Sequence, residues 1–181
     1  YYDLFKDLRF KILNVFECGI GSNNLNIESN MGIHGKPGAS LRMWKDFFPT
    51  ANIYGGDIDK EILFKDERIE TFYVDQRNSE QIKSMWSKIN KKFDIIIDDS
   101  THIFDHQINV IKKVHPFIKR NGILIIEDIY KNRKENLEEN YYKKIKNLKY
   151  KFEKIYFVEF HNINNYTANW KNEKLLILIK K

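Results

Sequence analysis

Phe93-Asp-Ile-Ile-Ile-Asp-Asp-Ser-Thr-His102 is an apolar run of strand length that ends in two carboxylates and an imidazole. A second run, Ile123 to Ile126, ends in Glu127-Asp128. Continuous Ile-rich runs suit strands buried on both faces, as in a parallel sheet. If the two strands are neighbours, their ends aim four carboxylates and a histidine at one crevice. Carboxylate oxygens are hard ligands of the kind that hold Mg²⁺, Mn²⁺ or Ca²⁺, and an adjacent histidine exchanges a proton near neutral pH. One acidic strand end alone reads as readily as a helix cap. Two together read as an active-site layout.

Outward from that stretch, period and punctuation place strands at residues 12–17, 52–56, 70–74, 93–98, 122–127, 154–161 and 174–179. Helices are expected at 40–48, 79–90, 104–118 and 135–148. Strands alternating with helices imply an α/β fold whose parallel sheet is covered on both faces. The last two strands are joined only by residues 162–172, too few for a crossover helix, so they pair as an antiparallel hairpin. The expectation is a Rossmann-like, mostly parallel seven-stranded sheet with that hairpin at its C-terminal end, in a single domain over residues 1–181. Ligands of such sheets bind beyond the carboxyl ends of the strands, where strand order reverses. Glu17, Asp57, Asp75, Asp98 to His102 and Glu127-Asp128 all fall at such ends.

Composition narrows the partners. Hydrophobic residues are 42% of 181, enough for a full core. The formal charge of +6 raises nucleic acid as a partner, but the lysines are scattered through Lys112, Lys113, Lys119, Lys131, Lys134, Lys143, Lys144 and Lys146. With abundant Asn and Ile they fit an AT-rich coding sequence better than a nucleic-acid footprint. Cys18 is the sole cysteine and sits in an apolar strand, which excludes a disulfide framework and suits a reducing cytoplasm. No apolar run approaches membrane-spanning length, and no signal peptide is visible. The chain opens on Tyr1 rather than Met, so the native N-terminus is expected upstream.

Gly19 and Gly21 flank a turn where a ligand can approach the backbone closely. A dinucleotide fingerprint needs a third glycine at position 24, where this chain has Asn24, which counts against NAD. Asp57 can accept both ribose hydroxyls of an adenosine, and Asp75 can accept from an adenine amino group. Either acid alone reads equally as a turn residue. Glu17, Ser40 and Asp98 complete the cofactor-side candidates.

These motifs carry a resemblance. Glu17-Cys-Gly-Ile-Gly21, Gly56-Asp57 and Val74-Asp75 look like the successive cofactor motifs of class I S-adenosylmethionine-dependent methyltransferases. Gly38-Ala-Ser-Leu-Arg-Met-Trp44, Ile53-Tyr-Gly-Gly-Asp-Ile-Asp59, Asp98-Asp-Ser-Thr-His102 and Ile125-Ile-Glu-Asp128 resemble the metal-dependent sugar O-methyltransferases of the macrocin and mycinamicin type. The resemblance implies S-adenosylmethionine as methyl donor, Mg²⁺ or Mn²⁺ held by Asp99, Glu127 and Asp128, and His102 as general base. This chain departs from it at Thr101, where serine is usual, and in the polar residues 22–36, which read as a lid or an insertion. The chain is short for a macrolide pocket. The implied acceptor is therefore small and polar, either a sugar hydroxyl or a phosphoryl or phosphoramidate oxygen of a surface-polysaccharide precursor.

Rival readings keep the same sheet. A short-chain dehydrogenase would use Tyr142 and Lys146, whose Tyr-x-x-x-Lys spacing a lysine-rich helix also supplies by chance. A nucleic-acid methyltransferase suits the charge, but its amino-group chemistry usually carries an Asn/Asp-Pro-Pro-aromatic motif where this chain has Asp-Asp-Ser-Thr-His. An inactive partner subunit would be free to lose its acids, and they are intact. Asp98 and Asp105 also read as supporting or capping groups, His106 and His115 as structural, and Tyr166 and Trp170 as acceptor-site candidates. The expected partner is a small-molecule acceptor, with no membrane and no nucleic acid; the oligomeric state is open, a homo-oligomer included.

Overall fold

The computed structural model describes residues 1–11, 13–27, 29–160 and 174–181. Among them, eight strands form one sheet: β1 (Asn14–Cys18), β2 (Asn52–Asp57), β3 (Lys65–Asp66), β4 (Ile69–Tyr73), β5 (Phe93–Asp98), β6 (Ile118–Ile126), β7 (Phe152–Glu159) and β8 (Lys174–Lys180). Their order is β3-β4-β2-β1-β5-β6-β8-β7. The helices are α1 (Tyr2–Phe5), α2 (Ala39–Phe47), α3 (Ser79–Ile89), α4 (Phe104–Val114) and α5 (Glu138–Lys144).

The five strands β1, β2, β4, β5 and β6 run parallel, and their side chains explain why. On β5, Ile95 and Ile97 join Val15, Ile53, Leu41, Trp44 and Phe48 beneath α1 and α2. Ile96 points the other way, to Phe16, Trp86, Ile108 and Ile111 beneath α3 and α4. Both faces are dry, so the strand reads as an unbroken apolar run.

Four expectations are corrected. The sheet has an eighth strand, β3, antiparallel to β4 and too short to show a period. Its turn depends on Arg68, which takes φ 60 while its guanidinium donates to the carbonyls of Lys45, Phe48 and Ala51. The C-terminal hairpin is present, but the antiparallel β8 lies inside the sheet, between β6 and β7. Leu176, Ile177 and Leu178 of β8 are buried, whereas β7 exposes Glu153, Lys154 and Glu159 and suits the edge. The helix expected at 104–118 ends at Val114, because Pro116 cannot continue it. The helix expected at 135–148 breaks into two 3₁₀ turns around a short α5 that buries Tyr141 alone, too little apolar face for a long helix.

Strand order reverses between β1 and β5, since the chain builds β2 and β4 on one side of β1 and β5 and β6 on the other. The strand ends there are stitched together. Asp99 N donates to Cys18 O at 2.8 Å, and Glu127 N to Asp98 O at 2.9 Å.

Candidate active site

At that switch point Asp99, His102 and Asp128 bring ligand-capable atoms within 4.8 Å of one another. His102 Nε2 lies 3.7 Å from Asp128 Oδ2, beyond hydrogen-bond length, so neither atom is committed to the other. His102 Nδ1 is buried without a hydrogen-bond partner. Both residues have a left-handed backbone, φ 55 for His102 and φ 51 for Asp128. That conformation costs an L-residue ~1–2 kcal/mol. Such strain persists where the surroundings hold it, typically at functional sites. His102 lies in the loop that leads into α4, whose N-cap is Ile103.

Electrostatics set these groups apart. Burial, and then the charges of Glu17, Asp128 and Asp98, push Asp99 up to about 8. Burial with help from Asp128 pushes Glu127 up to about 7. Burial holds His102 below the usual imidazole range, with Asp128 opposing and Arg133 assisting. Carboxylates crowded this way either keep protons or take a cation. A donor set of carboxylate oxygens fits Mg²⁺ or Mn²⁺. Glu127 adjoins Asp128 but is not one of the three clustered groups.

Behind the acids lies a layer that sequence reasoning missed. Gln76 is 4% exposed. Its amide donates to Asp98 Oδ1 at 3.1 Å and accepts from Thr101 N at 3.2 Å and Thr101 Oγ1 at 2.6 Å. The Ser100 hydroxyl bridges Gln76 and Asp98, whose carboxyl burial pushes up to about 7. Gln107 of α4 donates to Glu127 O at 3.0 Å and accepts from Tyr141 at 2.5 Å. The available signal was positional: Gln76 directly follows Asp75 at a strand end, and Gln107 interrupts the apolar face of α4.

The cofactor-side candidates surround the turn after β1. Glu17 accepts from the Ser40 hydroxyl and, at 2.5 Å, from Trp44 Nε1; burial nevertheless pushes it up to about 7. Asp57 is buried and accepts from Ile20 N and Asp59 N, both at 2.9 Å, so it braces the glycine turn. Gly19 has φ 86, and a Cβ there would collide with the Asp99 carbonyl. The close approach that requires this glycine is therefore the neighbouring strand end. Asp75 turns away into a bidentate pair with Arg77, at 2.8 Å on each oxygen, which holds its carboxyl below the usual range. Within residues 22–36, Asn23 donates to the carbonyls of Gly32 and Gly35 and Ser22 to Asp59, so the described part is a pinned loop.

Other candidates lie apart. Tyr142 donates to Ile155 O at 3.3 Å, and Lys146 opens a separate 3₁₀ turn, so the dehydrogenase pair does not reach the crevice. His115 Nδ1 is 3.0 Å from Lys112 O and Asp105 3.8 Å from Lys144, whereas His106, with Nδ1 2.8 Å from Thr101 Oγ1, joins the layer behind the acids. Tyr166 and Trp170 lie outside the described residues. Among the described residues no helix is long and apolar enough to cross a membrane.

A mostly parallel sheet with an antiparallel strand between its last two members and ligand-bearing strand ends at the switch point is the class I methyltransferase fold. The chain superposes with TM-score 0.72 and 24% identity on the MycE methyltransferase of the mycinamycin biosynthetic pathway, determined in complex with Mg, SAH and mycinamycin VI. That match covers 99% of this chain and 48% of MycE. In sequence the chain is 34% identical over 131 residues to mycinamicin VI 2''-O-methyltransferase of Micromonospora griseorubida. It is 33% identical over 131 residues to demethylmacrocin O-methyltransferase of Streptomyces fradiae. Each aligned stretch is 72% of this chain but 31% of the relative, so the chain spans about a third of the length of these curated relatives. No protein-family model matches it. The resemblance to sugar O-methyltransferases of this type thus holds across most of the chain.

Proposed function

We propose that this chain is the catalytic unit of an S-adenosylmethionine-dependent, divalent-metal-dependent O-methyltransferase acting on a sugar hydroxyl of a small glycosylated acceptor. The observation that carries the reading is the pairing of two strained residues, His102 and Asp128, beside Asp99 at the switch point. The named relatives are a mycinamicin VI 2''-O-methyltransferase and a demethylmacrocin O-methyltransferase, and MycE was determined with Mg and SAH, which supports the same donor and metal here.

The methyl donor brings its own leaving group, so the protein must mainly align an acceptor oxygen and make it nucleophilic. Gly19, Gly21, Ser40 and Asp57 form the donor wall, with the buried carboxyls of Glu17 and Asp98 behind it. Asp57, fixed by two backbone N–H groups, keeps lone pairs for ribose hydroxyls. Asp75 serves the adenine end only if its pair with Arg77 opens. Asp99, Glu127 and Asp128 would hold the cation, which when bound supplies Lewis acidity toward a hydroxyl. His102 Nε2 accepts the hydroxyl proton; burial and the Arg133 charge keep its ring neutral and ready to do so. Methyl passes to oxygen, the proton to His102, and S-adenosylhomocysteine leaves. Tyr130, edge-on to His102 with ring centroids 6.4 Å apart and covered by Arg133, walls the acceptor side. Arg133 favours a second reading in which the acceptor carries a phosphoryl group.

The test is a screen of glycosides, sugar nucleotides and phosphorylated metabolites, following S-adenosylhomocysteine release with and without Mg²⁺ or Mn²⁺. Metal-dependent release with a sugar acceptor supports the reading. Tight NADH binding with no response to S-adenosylmethionine overturns it.

A further inference from the structure

Two buried glutamines meet the two turns that carry the candidate ligands, one on each. Gln107 is 1% exposed, and its side chain donates to Glu127 O at 3.0 Å. That carbonyl belongs to the peptide joining Glu127 to Asp128, so fixing it fixes the plane from which the Asp128 φ of 51 is measured. The other end of the amide accepts from Tyr141, which is fully buried on α5. Gln76 acts on the other turn. It contacts Asp98, Ser100 and Thr101, bracketing Asp99 from both sides. Its own carbonyl accepts from Asn109 Nδ2 at 3.0 Å, tying the grip to α4.

An amide offers a donor and an acceptor at one end of a short stem, so it can bridge a carboxylate or carbonyl to a hydroxyl or N–H. Neither leucine nor glutamate does both. Buried polar groups are costly unless satisfied, and an apolar side chain would fill either space at lower cost. Left-handed backbone at a non-glycine residue also relaxes unless its neighbours hold it.

We propose that Gln76 and Gln107, the latter with Tyr141 behind it, are positioning residues that hold Asp99 and Asp128 in cation-binding geometry. The proposal rests on the reading that these acids bind a divalent ion. Groups that orient ligands in this way typically contribute 10–100-fold to metal affinity.

The experiment is calorimetric titration of Mn²⁺ alone into the full chain saturated with S-adenosylhomocysteine, with the thermal midpoint measured on each variant. Gln107→Leu and Gln76→Leu weaken Mn²⁺ by ~10–100-fold. Tyr141→Phe preserves the ring contact with Phe104 and loses only the hydroxyl, so it weakens Mn²⁺ severalfold in a protein that still folds. Gln107→Leu leaves S-adenosylhomocysteine affinity unchanged within about twofold. Trp86→Phe, a buried change on α3 where the ring packs against Phe16, Phe93 and Phe117 and touches neither glutamine, lowers the midpoint without touching Mn²⁺ affinity. Wild type that binds no Mn²⁺ overturns the metal reading together with this inference. Wild type that binds Mn²⁺, alongside Tyr141→Phe and glutamine variants that bind it equally well, overturns the inference alone.

Discussion

His102 Nε2 faces Asp128 Oδ2 across 3.7 Å, and each residue reaches that position through a left-handed backbone on a different turn. Two unfavourable conformations meeting at one point are hard to attribute to folding alone. Near Asp99 the arrangement also crowds carboxyl groups at the ends of β5 and β6, where burial and their neighbours disfavour ionisation without a cation.

Strain and charge together predict a trade between stability and function. Asparagine tolerates the left-handed region and carries no charge, so Asp128→Asn should stabilise the protein in chelator by ~0.5–1.5 kcal/mol. The same variant should lose its thermal response to Mn²⁺. Thermal or urea denaturation with and without the ion measures both effects, and a destabilised Asp128→Asn that still responds to Mn²⁺ argues against a ligand role.

His102→Ala should lower kcat by ~10²–10⁴, the usual worth of a positioned base, with S-adenosylhomocysteine affinity little changed. The wild-type rate should rise with pH through an ionisation that lies below the ordinary imidazole range, because burial favours the neutral ring. The variant should lack that limb. A folded His102→Ala with normal kcat would remove the residue from the chemistry.

The stability of the metal-free protein should fall as pH rises. Asp99, raised to about 8, and Glu17, Asp98 and Glu127, raised to about 7, bind protons more tightly folded than unfolded. Their contribution is fully present below the unfolded value of about 4 and is lost as pH climbs through the folded values. Thermal midpoints in chelator should therefore decline from pH 5 to about pH 8. Mg²⁺ or Mn²⁺ should restore most stability at the upper end, where the acids are ionised. A midpoint in chelator that climbs over this range is incompatible with such shifts.

Gly19→Ala should cost ~3 kcal/mol, combining positive-φ strain with a collision against the Asp99 backbone. Asp57→Ala should cost ~1–3 kcal/mol in stability, because it strips the acceptor from a buried Ile20 N–H, and should weaken S-adenosylmethionine binding by a similar amount. Denaturation and calorimetry separate the two losses. Unchanged stability in Asp57→Ala would mean the turn does not depend on that carboxylate.

The parallel sheet was legible because β5 and β6 are apolar on both faces and end in acids, a pattern that follows from burial alone. The position of β8 was not legible, since a hairpin sequence specifies pairing with β7 but not which member sits at the edge. Asp99, His102 and Asp128 were readable as strand-end chemistry. The left-handed conformations of His102 and Asp128 were not, because nothing in Asp-Asp-Ser-Thr-His or in Ile-Ile-Glu-Asp marks a strained turn. Asp75 looked free by position, and only its contact with Arg77, two residues on, shows its carboxylate engaged. Gln76 and Gln107 carry no motif at all; their role depends on which backbone groups the fold brings against them.

Metal-dependent methyl transfer at these acids is tested most directly by single-turnover transfer from S-adenosylmethionine to the best acceptor of the screen, before and after exhaustive chelation. Turnover should vanish with EDTA and return with Mg²⁺ or Mn²⁺ in wild type. It should not return in Asp99→Asn, although that variant still binds S-adenosylhomocysteine. Full-rate transfer by the chelated wild type, or by Asp99→Asn, would contradict it.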